Sequence, residues 1–366
     1  MDNLTHSLFG LTLARTPLGR ATRGTTATLV IASNIPDIDG LSAVGGTASY
    51  LQWHRGPAHG PIGVVLLSVA SAGLVWGWQR FGVRGNQSRP SAASFGLLFA
   101  VALIGVLLHV LMDFPTTYGT RLLSPFDWHW FAVDWMPIID GYLLVALGVG
   151  LAFGRVSDAA GRRNAAIVLV LMAANYGVRG VAHHRAVAMA TRVFGPRLPA
   201  ACDPASDPPS VVDSWPREDA KTVSDQPSKR CLVEIAAMPS FASPFKWRLI
   251  ARLSNAYELQ DIDLLDSRFS TDSDRLWRVT LRPNIWTPPA FQAAATPFGQ
   301  VFLGFSRFPA ARSIVDTSGS AIVRFNDVRF AGGLFNMNQP QRGPDPFTVT
   351  IQLGPDGTLR SEHVGR

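Results

Sequence analysis

Cysteine is nearly absent: the 366 residues hold two, Cys202 and Cys231, and neither belongs to a Cys-x-x-Cys pair. Cysteine-based zinc binding and dithiol redox chemistry therefore have no support. The two lie 29 residues apart across a stretch rich in Pro, Asp and Ser. That spacing fits one disulfide in an oxidising compartment, with two independent thiols as the alternative. Lysine is scarce as well. The formal charge is +7 with a pI near 10.0, yet almost all of the basic residues are arginines placed at the ends of apolar runs. No basic stripe interleaved with aromatics exists, so a membrane accounts for the charge and no nucleic-acid partner is expected. A cleavable signal peptide is not apparent either, because no basic segment precedes an apolar one and the first apolar run is interrupted by His6 and Ser7. No internal repeat is present.

Charge is missing or nearly so from long apolar stretches of the first half, at 61–78, 92–112, 137–153, where Asp140 is the one charged residue, and 165–176. The first two are long enough to cross a bilayer, and the other two reach that length with their flanks. Two shorter segments, 4–14 and 25–35, read as a hairpin of short helices that enters the membrane without crossing it. After Pro199 the chain changes character. A Pro/Asp/Ser-rich linker is followed by short alternating runs at 247–253, 276–281, 321–330 and 347–353, which read as strands. The expected fold class is thus an α-helical membrane domain, a short helical hairpin plus about four spanning helices, followed by a small β-rich soluble domain. The expected boundaries are 1–185, a linker at 186–230, and 231–366.

Arginines set the expected topology. Arg15, Arg20 and Arg23 lie in the first hairpin turn, Arg80, Arg84 and Arg89 between the first two clear spans, and Arg155, Arg162 and Arg163 between the last two. If these loops are cytoplasmic, alternation carries His6, Asp37, Asp39, His54, His59, His109 and Asp113 to the opposite face. The β-rich domain falls outside too, in a bacterial inner membrane crossed several times. The loop 114–136, with Trp128, Trp130, Phe131 and Trp135, faces the same side and is expected to lie at the headgroup level and roof the site.

The same seven residues carry the chemistry. His109 and Asp113 stand at i and i+4 at the end of a span, on one helical face, where both reach one ion. Asn34-Ile35-Pro36-Asp37-Ile38-Asp39-Gly40 supplies two carboxylates that repel unless a cation lies beside them. His54-Arg55-Gly56-Pro57-Ala58-His59 places two imidazoles around a turn, with an arginine able to clamp an anionic oxygen. Each cluster alone has a bland reading, as a helix-packing pair, a solvated acidic turn or bystander histidines. Their arrival from separate segments at one face favours a metal centre, and mixed N/O ligands suit zinc first, with manganese or iron as alternatives and room for two or three ions. His129, His183, His184 and His363 fall outside the clusters and are read as non-ligands.

These residues resemble the YdjM-like family of membrane-bound metal-dependent hydrolases. The resemblance rests on Asn3 to His6 with Gly10, Pro36-Asp37-Ile38-Asp39, His54-Arg55-Gly56 with His59, His109 with Asp113, and Tyr118-Gly119 leading to Pro125-Phe126. It covers roughly the first 140 residues and departs at Ala58 and Gly60, where hydroxyl residues are expected beside the second histidine. The family is in turn distantly similar to the zinc-dependent phospholipase C and single-strand nuclease superfamily, which implies phosphodiester hydrolysis by clustered His and Asp ligands.

The expectation is a membrane-bound hydrolase acting on a phosphoester or lipid-like substrate, with membrane lipid as its surroundings. His6, Asp37, Asp39, His54, His59, His109 and Asp113 would hold the metal. Asp37 or Asp113 would handle the proton, and Arg55 would offset negative charge. The alternative is a non-catalytic metal-binding scaffold or transport protein. A transporter would place its ligands at the midplane in broken helices, whereas these lie at segment ends.

Overall fold

The computed structural model describes residues 1–82, 93–195, 198–202, 211–216, 230–266, 280–330 and 347–364. Arg84, Arg89, most of the expected linker and positions 276–279 of one expected strand lie outside the described residues. The chain divides into two compact units, 1–42 with 53–178 and 43–52 with 179–366.

The first unit is helical. Helix α1 (Asn3–Leu13) starts at Asp2, whose carboxylate accepts from the Thr5 amide at 3.0 Å. It turns through a 3₁₀ segment into α2 (Thr25–Ala32). A second 3₁₀ segment, Ile35–Gly45, and a short helix α3 (Thr47–Trp53) lead to α4 (Pro61–Gly77), where Pro61 fills the first helical position and needs no amide. Helices α5 (Phe95–Asp113) and α6 (Gly141–Phe153) begin on Ser94 and Asp140 caps, and α7 (Asp158–Phe194) follows. The core of α2, α4 and α5 is built from Ala32, Val64, Ala72, Leu98, Ala102 and Val106, all buried. A second core joins Phe9, Leu29, Val101, Leu143, Leu147 and Val168 from α1, α2, α5, α6 and α7.

Among the described residues three helices are long and apolar enough to cross a membrane: Pro61–Phe81, Phe95–Asp113 and Asp158–Phe194. Gly141–Phe153 is apolar but shorter, 13 residues, which is about 20 Å of helix against a hydrocarbon core of about 30 Å. The largest departure from expectation is α7. The apolar run 165–176 is only the middle of a 37-residue helix. Hydropathy ends at Arg179, His183 and His184, but no proline interrupts the helix there. The 3.6 period goes on through Ala182, Ala186 and Ala190. Arg162 and Arg163 accordingly ride on the first turns of α7, and Arg155 alone of its group stays in the connection.

The second unit is β-rich. One antiparallel sheet has the order β3 (Leu232–Pro239), β4 (Lys246–Leu253), β5 (Ala256–Asp263), β6 (Thr280–Pro283). Another runs β10 (Leu359–Val364), β9 (Thr348–Leu353), β8 (Ala321–Asp327), β7 (Pro309–Val315). Short strands β1 (Trp130–Ala132) and β2 (Asp213–Trp215) precede these in the chain. Alternation on β4 sends Trp247, Leu249 and Ala251 to one face, where they pack on Ala182, Ala186 and Ala190 of α7. Ile250, on the other face, joins Tyr257, Phe308, Ala310 and Val328. Both faces of β4 are therefore covered. Helices Pro288–Ala294 and Pro297–Phe305, unanticipated in the sequence, lie between β6 and β7. Cys202 and Cys231 form a disulfide.

Candidate metal centre

Two glycines determine where the ligands meet. A Cβ on Gly10 of α1 would lie 3.0 Å from the Leu29 carbonyl oxygen, and one on Gly105 of α5 would lie 2.8 Å from the Ala32 Cβ. Both helices therefore approach α2 more closely than a larger residue permits. One turn before Gly10 is His6, and one turn after Gly105 is His109. Their rings stack with centroids 3.9 Å apart. Asp113 lies one further turn along α5. Asp37 and Asp39 follow α2 in the 3₁₀ segment, and His54 and His59 precede α4.

Four donor atoms converge: His59 Nε2, His109 Nε2, Asp37 Oδ1 and Asp113 Oδ2. The two nitrogens are 3.3 Å apart, and the four nitrogen-to-oxygen separations are 3.5, 3.6, 3.7 and 3.8 Å. Ligands about 2.0–2.2 Å from a tetrahedral ion stand about 3.3–3.6 Å from each other. The other nitrogen of each ring faces an acceptor. His109 Nδ1 is 2.8 Å from the Ser33 carbonyl oxygen, which can only accept. His59 Nδ1 is 3.1 Å from Asp39 Oδ2, and burial pushes the His59 pKa down to about 4, against the raising effect of Asp39. Both rings thus turn their Nε2 atoms toward two carboxylates. Both carboxylate oxygens of Asp37, and Asp113 Oδ2, are buried without a hydrogen bond. Arg55 Nε offsets Asp113 Oδ2 at 3.0 Å, but the buried oxygens of Asp37 have no hydrogen bond, and with the two Nε2 atoms this buried Asp/His cluster can hold a metal ion.

Around the four lies a layer that orients them. Asp39 accepts at both oxygens, with His54 Nδ1 at 2.8 Å on one and the Arg55 amide at 2.9 Å on the other. Burial alone would raise its pKa, but the bonds from His54 and His59 outweigh that and lower it. Asp37, Asp39 and His54 form a second group of ligand spacing that shares Asp37 with the first. His6 stands outside both groups, its Nε2 3.2 Å from Asp113 Oδ1, and the Met1 amino group also pairs with that oxygen.

Arg55 is buried rather than open to an anion. Its Nε is 3.0 Å from Asp113 Oδ2, and its Nη1 donates to Thr116 Oγ1 at 2.8 Å and to the Gly119 carbonyl at 3.3 Å. It also lies over the Tyr118 ring at 4.9 Å. The backbone of Arg55 has φ 53°, a left-handed conformation uncommon for a side chain of this size. Its amide on Asp39 and its carbonyl on the Arg121 amide, at 3.0 Å, hold it there.

Sequence reasoning passed over Ser33, Thr116 and Arg121. Ser33 acts through its backbone, which no side-chain pattern announces. Burial lowers the Arg121 pKa to about 10, and the guanidinium lies 4.3 Å above Trp130 and 5.1 Å from Trp128. Trp130 is fully buried, so it is a core residue of loop 114–136 and not an anchor at the headgroups. Phe126 of the same loop is 76% exposed. Gly60 departs from the expected hydroxyl for a steric reason: a Cβ there would fall 1.8 Å from the Ser124 carbonyl oxygen.

Apolar helices of spanning length and a buried His/Asp cluster at their ends define a membrane protein with a candidate metal centre. The chain belongs to the YdjM inner membrane protein family, whose sequence profile matches residues 1–186. It is also 27% identical over 114 residues to the "Uncharacterized protein YfhP" of Bacillus subtilis (strain 168), covering 31% of this chain and 32% of that protein. That match spans about a third of the relative's length. No solved structure matches.

Proposed function

We propose that this YdjM-family protein is a membrane-bound metal-dependent hydrolase acting on a phosphoester of a lipid-like substrate. The observation that carries the reading is the convergence of four buried ligand atoms from His59, His109, Asp37 and Asp113. Zinc suits two imidazoles and two carboxylates at tetrahedral spacing, and the second group on Asp37, Asp39 and His54 offers a place for another ion.

A divalent ion in such a site supplies Lewis acidity, acidifying water and polarising a phosphoryl oxygen. The chain's own residues do the rest. Asp37, the least enclosed of the four, is the carboxylate we assign to take a proton. Asp39 holds His59 and His54 in orientation, and Arg55 pairs with Asp113 and fixes its aim inward. Substrate class is argued from the rim. Ile38 lies between the two carboxylates and Leu41 two residues after them in sequence, and both are exposed, as are Trp53, Leu123 and Phe126. Beside a site at the ends of apolar helices, such side chains favour acyl chains over water.

The topology we infer places the cluster on the face opposite the arginine-bearing turns. A disulfide in the second unit suits an oxidising, extracytoplasmic compartment. Ligands at helix ends, not in a broken helix at mid-membrane, favour hydrolysis over transport.

The test is metal content by elemental mass spectrometry on detergent-purified protein, with hydrolysis of glycerophospholipids and of a chromogenic phosphodiester. Wild type is expected to carry at least one equivalent and to turn over. His109→Ala/Asp113→Ala should lose both while still inserting in the membrane. Activity retained in the variant, or no metal after reconstitution, overturns the reading.

A further inference from the structure

The hairpin of β7 and β8 has a face that plays no part in the metal centre. In its antiparallel register Arg312 stands opposite Arg324, and two residues nearer the turn Ile314 stands opposite Ile322. All four are exposed, Ile314 at 71% and Ile322 at 40%. Like charges directly opposed across strands repel. The unit neutralises other arginines close at hand: Arg248 has Asp261 at 2.7 Å, Arg252 has Glu234 at 3.1 Å and Arg329 has Asp327 at 2.7 Å. Arg312 and Arg324 have no such carboxylate among the described residues. Their neighbours across the sheet on this face, Thr350 and Gln352 of β9, are uncharged. Asp316, in the turn, accepts from Ser318 and Ser320 within that turn.

We propose that this face is a peripheral binding surface for anionic phospholipid. The two guanidiniums take headgroup phosphates, and Ile314 and Ile322 enter the interfacial layer beside them. A soluble anion would use the arginines alone and leave two isoleucines in water. A second copy docking on the same face would bring four guanidiniums together about a two-fold axis. An anionic bilayer satisfies both the charge and the apolar pair. A bilayer is also present at high effective concentration, because the described residues include three helices of spanning length. The proposal stands independently of the metal centre.

The full chain, reconstituted in nanodiscs, is irradiated with photoactivatable phosphatidylglycerol or phosphatidylcholine probes, and adducts are mapped by mass spectrometry. Adducts on 309–327 should come from the anionic probe, fall about thirty-fold in R312Q/R324Q, as expected for loss of two interfacial arginines, and fall further in R312E/R324E. R312Q/R324Q removes the repulsion without adding charge, so it should melt no lower than wild type and still lose the adducts. Equal labelling by both probes, unchanged labelling in the variants, absence of adducts, or cross-links to a second copy would each overturn the proposal.

Discussion

The Nε2 atoms of His59 and His109 face each other at 3.3 Å, each turned inward by an acceptor on its own Nδ1. With a lone pair on each, as metal ligation requires, the two atoms repel. An ion that converts this repulsion into four bonds stabilises the fold by mass action. At a free concentration one hundred times its Kd the gain is about 2.7 kcal/mol. Chelation is therefore expected to lower the melting temperature of the purified protein, and zinc should restore it. His109→Ala should melt at one temperature with or without chelator. Indifference to chelator in the wild type would sink the idea of a shared ion.

Asp39 orients rather than crowds the four-donor group, accepting from the Arg55 amide at 2.9 Å and lying 3.1 Å from His59 Nδ1. Asp39→Asn keeps its size but sets an amide against the imidazole N–H groups. Metal affinity is expected to fall about 10- to 100-fold, the usual loss when an outer partner of a ligating histidine is changed. Competition with a calibrated chelator measures it. An unchanged affinity would mean that His59 is held by packing alone.

Gly60 is closed to any side chain, since a Cβ would lie 1.8 Å from the backbone oxygen of Ser124. Gly60→Ala should cost about 3 kcal/mol or more, because backbone must move rather than a rotamer. Metal loading should suffer with it, as His59 is the adjacent residue. Gly73→Ala in α4, where nothing lies within 4 Å of the added carbon, should instead be neutral or stabilising by up to about 1 kcal/mol. Thermal melts of the two variants side by side give the comparison. A Gly60→Ala protein as stable as wild type would contradict the close packing of Gly60 on Ser124.

The sequence by itself determined the helical half, the β-rich half and the ligand types. Apolar runs without charge read as membrane helices because burial of backbone in lipid admits little else. His109 and Asp113 share a helix face by spacing alone. Strand alternation revealed β4, β8 and β9, whose apolar positions recur every second residue. It did not reveal β5 or the helices at 288–305, where local pattern is weak and packing on neighbours decides.

Tertiary structure alone decided which ligand does what. Seven polar residues on four segments looked equivalent in the sequence. Packing of Gly10 and Gly105 on α2, and of Gly60 on Ser124, set the distances. Four donors came together, Asp39 sat behind two histidines, and Arg55 was engaged by Asp113, Thr116 and Gly119. Trp130 was drawn into the core and Phe126 was left out. The reason is physical: ligand geometry depends on separations of a few tenths of an ångström between segments far apart in sequence. Local propensity and hydropathy report on each segment alone, whereas these separations are fixed only when the helices close on one another.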